Sequence, residues 1–238
     1  MKTLHRTLTI LCCFAAALLI AWKLLHLANY NFNFWYSQLG IEQHISKYAP
    51  QNRQGKTGFE RTSYEERTEL FRSIGRAVNN SGEGLRTLEY QAHPQAAPIT
   101  LLTDAEATHL EDVANLIDLL VPIGWAATGL LLLLVLLALF TRSPLPGLKA
   151  SLLTLLVFVL VLALIIIAVG PHDVFKALHE FVFPAEHQWF FYYQDSLMTT
   201  LMKAPDIFFA IGAAWALLAA IVYLLITLSF RFLDRSNA

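Results

Sequence analysis

Residues 150–172 read A-S-L-L-T-L-L-V-F-V-L-V-L-A-L-I-I-I-A-V-G-P-H, without one Asp, Glu, Lys or Arg. As a helix rising 1.5 Å per residue, the stretch is roughly 35 Å long, enough to cross a hydrocarbon core of about 30 Å. Two further stretches, Leu119–Thr141 and Ile207–Phe230, are equally free of charge. A fourth, Thr7–Asn29, is interrupted by Lys23, whose long stem lets its ammonium snorkel to the interface. Lys2 and Arg6 ahead of the apolar run Leu8–Ile20 resemble the start of a secretory signal. No small-x-small cleavage site follows, and apolar character resumes at Leu24–Ala28, so this segment reads as a retained first helix. The expected fold is all-α: a four-helix transmembrane bundle with extracytoplasmic amphipathic and short helices. Residues 1–238 are expected to form a single integral membrane domain, with spans at about 7–29, 114–140, 150–170 and 207–230 and outer segments at about 30–113 and 171–206.

Composition agrees with that reading and removes several function classes. Of 238 residues, 56% are apolar and 15% charged, which argues against a water-soluble enzyme. Seventeen basic residues against 18 acidic ones create no basic field, so no nucleic-acid partner is expected. Cys12 and Cys13 are adjacent within an apolar run and offer neither a disulfide framework nor a C-x-x-C site. They read as small apolar residues facing lipid or another helix. The spans contain almost nothing ionisable, which disfavours transport. Gly124, Ala126, Ala127 and Gly129, and Gly212, Ala213, Ala214 and Ala216, permit close helix approach.

Short segments sharing one side carry Lys2 and Arg6, then Arg142 and Lys149, then Arg231 and Arg235, with Asp234 the acidic residue among them. The positive-inside rule then places both termini in the cytoplasm and turns the two long connections outward. In the first connection, Asn29–Gly40 mixes aromatics with amides and reads as an aromatic belt at the membrane surface. Pro50–Gly58 reads as a loop. The S-x-x-E capping box at Ser63–Glu66 precedes Leu70, Phe71, Ile74, Ala77 and Val78 on one face, predicting a helix from about Tyr64 to Val78 that lies on the membrane surface or packs over the mouth of the bundle. It stops at Asn79-Asn80-Ser81-Gly82. A second capping box, Thr103–Glu106, starts a helix that enters the membrane already formed, unbroken until Pro122 and Gly124.

Along that helix, His109, Asp112, Val113 and Leu116 share a face. A histidine with a carboxylate about one turn away, just outside the bilayer, is either a structural hydrogen-bonder or an acid–base group. In the second connection a short helix over Asp173–Phe183 aims His179, with Phe175, Leu178 and Val182, at apolar surroundings. Trp189–Tyr193 is an aromatic run suited to the headgroup level, followed by Asp195 and another short helix closed by Pro205. No G-x-S-x-G elbow, H-E-x-x-H pair, phosphate loop or dinucleotide fingerprint occurs, so neither a nucleotide nor another cofactor is expected. Six histidines fall in outward or interfacial positions: His44, His93, His109, His172, His179 and His187.

These motifs, taken in order, resemble a known family. H-x-x-D-V-x-x-L at His109–Leu116, F-x-x-x-H-x-x-x-F at Phe175–Phe183, Trp189-Phe190-Phe191, Asp195 and P-x-x-F-F at Pro205–Phe209 are similar to the lipoprotein intramolecular transacylase (Lit) family. The likeness covers most of the chain from His109 onward. It implies a multi-pass protein of the bacterial cytoplasmic (inner) membrane with an outward-facing active site. The implied reaction moves an acyl chain from the glycerol ester of a lipoprotein's diacylglyceryl-cysteine to the α-amino group of the same cysteine, giving the lyso-form. The implied partners are a lipid-modified lipoprotein substrate and membrane phospholipid. The family's two histidines fall on His109 and His179, with Asp112, Trp189 and Asp195 in support. Tyr192-Tyr193-Gln194 stands where the family has an Asp-Pro-like turn, a departure that bears on lipid or substrate preference.

The chemistry suits imidazole, because an α-ammonium with a pKa near 8 must lose a proton before it attacks an ester. One expectation is that His179 takes that proton while His109, oriented or kept charged by Asp112, donates to the leaving oxygen or supports the oxyanion. The two roles are exchangeable. The alternative reading is a non-enzymatic membrane protein with an accessory role or with an outward His/Asp metal site formed by His109, Asp112, His179 and Asp195. The lack of an H-x-x-x-H ligand motif speaks against the metal site.

Overall fold

The computed structural model describes residues 2–235. Met1 and residues 236–238 lie outside it, as do the side chains of Lys2, Asp234 and Arg235, on which part of the charge reading of the termini rests. Four helices are long and apolar enough to cross a membrane: α1 (Lys2–Leu27), α5 (Asp104–Phe140), α6 (Leu148–Val169) and α9 (Asp206–Arg235). Shorter helices are α2 (Phe32–Gln38), α3 (Ile41–Tyr48), α4 (Tyr64–Val78), α7 (Pro171–Val182) and α8 (Leu197–Met202). Strands β1 (Glu89–Tyr90) and β2 (Ile99–Thr100) form a small antiparallel hairpin that the sequence reading did not anticipate. The protein is an all-α integral membrane protein. Its contacts divide it into two compact units: one gathers residues up to Leu24, Leu120–Leu178 and from Ala214 on, the other Leu25–Leu119 and His179–Ala213.

In the first unit small residues let helices approach. Cys12, Cys13, Ala16 and Ala17 of α1 are buried with Leu131, Leu134 and Ala138 of α5 and Tyr223 and Phe230 of α9. A Cβ on Gly124 would stand 3.0 Å from that of Leu19, so this crossing of α1 and α5 requires a residue without a side chain. Two polar side chains find backbone partners here, which suits lipid: Trp215 Nε1 donates to Leu18 O at 2.9 Å and the Tyr223 hydroxyl to Ser151 O at 3.2 Å. By contrast α6 exposes nearly every large apolar side chain it has. Such a surface matches hydrocarbon rather than water. Helix α5 stays continuous at Pro122 and Gly124. It runs through Pro122 to Phe140, the kind of proline that transmembrane helices tolerate.

The second unit is organised around α4, which forms at the residues the capping box marks. Ser63 Oγ accepts from Glu66 N at 3.1 Å. The helix ends where Gly82, at φ +79°, donates its N–H to Ala77 O across a left-handed turn. Its apolar face is core rather than surface: Phe71 stacks on Phe32 at 4.1 Å, and Leu70, Ile74 and Ala77 are buried. This overturns the belt reading of Asn29–Gly40, since Tyr30, Phe32 and Tyr36 pack inside this unit and leave Phe34 exposed. Arg67 is buried beside them. It donates to Thr62 Oγ1 at 2.9 Å, to the Tyr36 hydroxyl at 2.7 Å and to Glu60 O at 2.8 Å.

Candidate active site

The capping box at the start of α5 is closed from both sides. Thr103 Oγ1 accepts from Glu106 N at 3.3 Å, and Glu106 accepts the Thr103 N–H at 2.5 Å. Glu106 is fully buried and also receives the Ser196 hydroxyl and the Met198 N–H, so one carboxylate joins the first turn of α5 to the first turn of α8. The sequence marks Glu106 as a cap but carries no sign of this second role, which links residues ninety positions apart. His109 follows one turn later, 8% exposed.

His179 occupies the last turn of α7, and its ring centroid lies 6.1 Å from that of His109, with the planes 32° apart. Aromatic rings close around the pair. Phe183 lies 5.0 Å from His109 and 5.3 Å from His179, Trp189 lies 4.8 Å from His179, and Phe191 lies 6.2 Å from His109. His109, His179 and Trp189 therefore come together, with Phe183 and Phe191 as neighbours the residue patterns did not single out. Asp112 is one turn along from His109, yet its described hydrogen bond is with His187, whose Nδ1 lies 2.7 Å from Asp112 Oδ2. Asp195 lies against Arg53, 3.6 Å away, rather than in a described contact with either ring. His187 is a neighbour of the site that periodicity did not single out. It lies in an irregular segment, where neither a helical nor a strand period applies.

Helix α5 has 37 residues, about 55 Å of rise, and its first turns carry Asp104, Glu106, His109, Glu111 and Asp112. That is longer than the roughly 20 residues a crossing requires, and the charged first turns stand apart from the apolar remainder. Burial pushes the His109 imidazole down to about 4, the positive charge of His179 adds to this, and the nearby Asp112 carboxylate opposes both. His109 is thus neutral at neutral pH, which reverses the expectation that Asp112 keeps it charged: desolvation outweighs the carboxylate. Its Nδ1 is buried without a hydrogen-bond partner, a state that costs about 1–3 kcal/mol and marks a polar atom in need of explanation.

A neutral imidazole offers one nitrogen as acceptor and the other as donor, and a second imidazole beside it allows a proton taken at one ring to be returned from the other. Among the described residues, no group of three or more His, Cys, Asp or Glu side chains is arranged to hold a metal ion.

The model of the family described as lipoprotein intramolecular transacylase Lit matches residues 7–209. The chain belongs to that family. It is a membrane acyltransferase, and lipoproteins are the substrates of its family. The match extends well upstream of His109, over the first span and α4, where short motifs alone revealed little. The in meso structure of membrane integral Lit from Bacillus cereus is similar with a TM-score of 0.69 at 14% identity, covering 99% of this chain and 97% of that one. A second structure of the same Bacillus cereus protein, carrying a histidine-to-arginine mutation, is similar with a TM-score of 0.65 at 15% identity, covering 98% and 93%. At these identities the likeness is one of fold. No curated protein matches the chain significantly in sequence.

Proposed function

We propose that this Lit family member transfers an acyl chain within one lipoprotein molecule, from the glycerol ester of the diacylglyceryl-cysteine to the α-amino nitrogen of that cysteine, at the outer face of the bacterial cytoplasmic membrane. The observation that carries the reading is the approach of His109 and His179 to 6.1 Å inside an aromatic enclosure. The outward orientation rests on the basic residues flanking the spans, Arg6, Arg142, Lys149 and Arg231.

In the proposed sequence the cysteine amine attacks the ester carbonyl, an N–C bond forms and the C–O bond to glycerol breaks. The substrate ammonium first gives up one proton to solvent; His109, neutral at rest, then takes the second proton, which the nitrogen releases as the N–C bond forms. His179 gives a proton to the departing glycerol oxygen, and transfer between the two rings restores the resting state. The buried Phe191 and the half-buried Phe183 and Trp189 give the pair an apolar side that limits the approach of water. Nucleophile and ester belong to one molecule, so positioning alone supplies effective molarities that reach roughly 10⁵ M or more. No serine or cysteine acyl intermediate is required.

The test is mass spectrometry of the N-terminal lipopeptide of a diacylglyceryl-modified lipoprotein, after incubation in membranes with the protein or with its His179→Ala variant. An acyl group moved from glycerol to the cysteine nitrogen with the unmodified protein alone is the expected result. An unchanged diacylglyceryl form in both samples overturns the reading.

A further inference from the structure

Between α7 and the turn at Tyr193, residues 183–192 form neither helix nor strand, yet this segment supplies Phe183, Trp189 and Phe191, three of the rings around the two histidines. Several of its hydrogen bonds are local: His187 N donates to Pro184 O at 3.0 Å and Gln188 Nε2 to Phe190 O at 2.9 Å. Such bonds stiffen the segment without fixing its place against α5. A bond that reaches α5 runs from His187 Nδ1 to Asp112 Oδ2, at 2.7 Å, between residues 75 positions apart. Asp112 is well shielded, its side chain 12% exposed, while His187 remains 35% exposed. A charge-assisted bond to a shielded carboxylate is strong and directional enough to place an otherwise irregular segment.

We propose that His187 is a positioning residue for acyl transfer: by donating to Asp112 it pins the segment 183–191 across α5 and so holds Trp189 and Phe191 against His179 and His109. The inference rests on the transacylase reading above and adds to it the residue that assembles the enclosure. The same bond engages one Asp112 oxygen with a partner other than His109. Misplacing the rings by about 1 Å disturbs the alignment of the reacting groups, which the transition state needs more than substrate binding does.

The experiment compares initial transfer rates of the full-length protein in membranes with those of His187→Leu, His187→Asn, Asp112→Ala and the double variant Asp112→Ala/His187→Leu. It uses a diacylglyceryl lipoprotein substrate and mass spectrometry of the lipopeptide. Leucine keeps the bulk and removes the donor; the asparagine amide puts an N–H near the place of Nδ1. His187→Leu is expected to lower kcat about tenfold to a hundredfold with KM changed less than about threefold, and His187→Asn to recover most of the loss. The double variant is expected to be no slower than Asp112→Ala alone, as two partners in one bond require. Amide hydrogen exchange over residues 184–191 is expected to rise in His187→Leu and return in His187→Asn, with no change in α4. Full activity in His187→Leu, a loss confined to KM, additive losses in the double variant or no rescue by asparagine overturns the proposal while the transacylase reading stands. Absence of transfer by the unmodified protein overturns the transacylase reading itself, and the inference with it.

Discussion

Two histidines in the second unit are alike in almost every local property and differ in company. His44 on α3 and His109 on α5 are each 8% exposed, and each has a buried ring nitrogen without a hydrogen bond, Nε2 and Nδ1 respectively. Burial holds both near pKa 4. His44, however, packs between Tyr48 at 4.6 Å and Tyr193 at 4.3 Å, whose hydroxyl is engaged by Ala204 O. His109 faces a second imidazole, with a carboxylate one turn away. Depressed basicity and an unpaired nitrogen are thus consequences of burial. Lys203, Asp206 and Lys47 also act on His44, so what distinguishes His109 is the second imidazole in its ring contacts.

The largest expected effect tests that distinction directly. His109→Ala and His179→Ala should each lower transfer roughly 10²–10⁴-fold, whereas His44→Phe should leave it within about threefold, as read by lipopeptide mass spectrometry. Equal losses at His44 and His109 would dissolve the contrast. Glu106→Ala comes next. It strips the acceptor from Thr103 N–H, Met198 N–H and the Ser196 hydroxyl, so a stability loss of about 2–4 kcal/mol is expected in thermal denaturation, with transfer falling alongside.

Much of this contrast was legible in the chain before any coordinates, and the boundary has physical reasons. The four spans follow from uncharged length, the start of α4 from Ser63 and Glu66, and the placement of His109 beside Asp112 from a 3.6-residue period. Those are local rules acting over a few residues. The belt reading of Asn29–Gly40 failed because Tyr and Phe next to a span suit a membrane interface and a protein core equally well; Phe71, about forty residues on, decided between them. Asp112 illustrates the same limit. Its position on the helix was readable, but its bond to His187 depends on the path of an irregular segment that no periodicity encodes.

Acid should sharpen the comparison further. A histidine whose folded pKa lies near 4, against an ordinary 6.5, is neutral in the folded protein while the unfolded chain binds a proton. Stability is therefore complete above about pH 6.5 and lost as pH falls through the window to about 4, by up to about 3 kcal/mol per group. His44→Phe should remove its share, flattening the fall in melting temperature between those limits while leaving the His109 share intact. An unchanged pH dependence would show that His44 does not set it. The smallest expected effect lies in the other unit. Gly124→Val pushes a side chain onto Leu19 and should cost about 1–3 kcal/mol of thermal stability with transfer retained. A collapse of activity in that variant would mean that the packing of α1 on α5 controls the chemistry as well.

The neutral imidazole of His109, an acceptor through one of its nitrogens, bears on turnover. Substrate arrives as an ammonium, a charged donor; product leaves as an amide, a neutral donor roughly half as strong. On the proposed reaction the pocket's grip slackens at the instant the acyl group lands. Release of the lyso-form is then driven by the chemistry itself, and accumulated product should be a poor inhibitor.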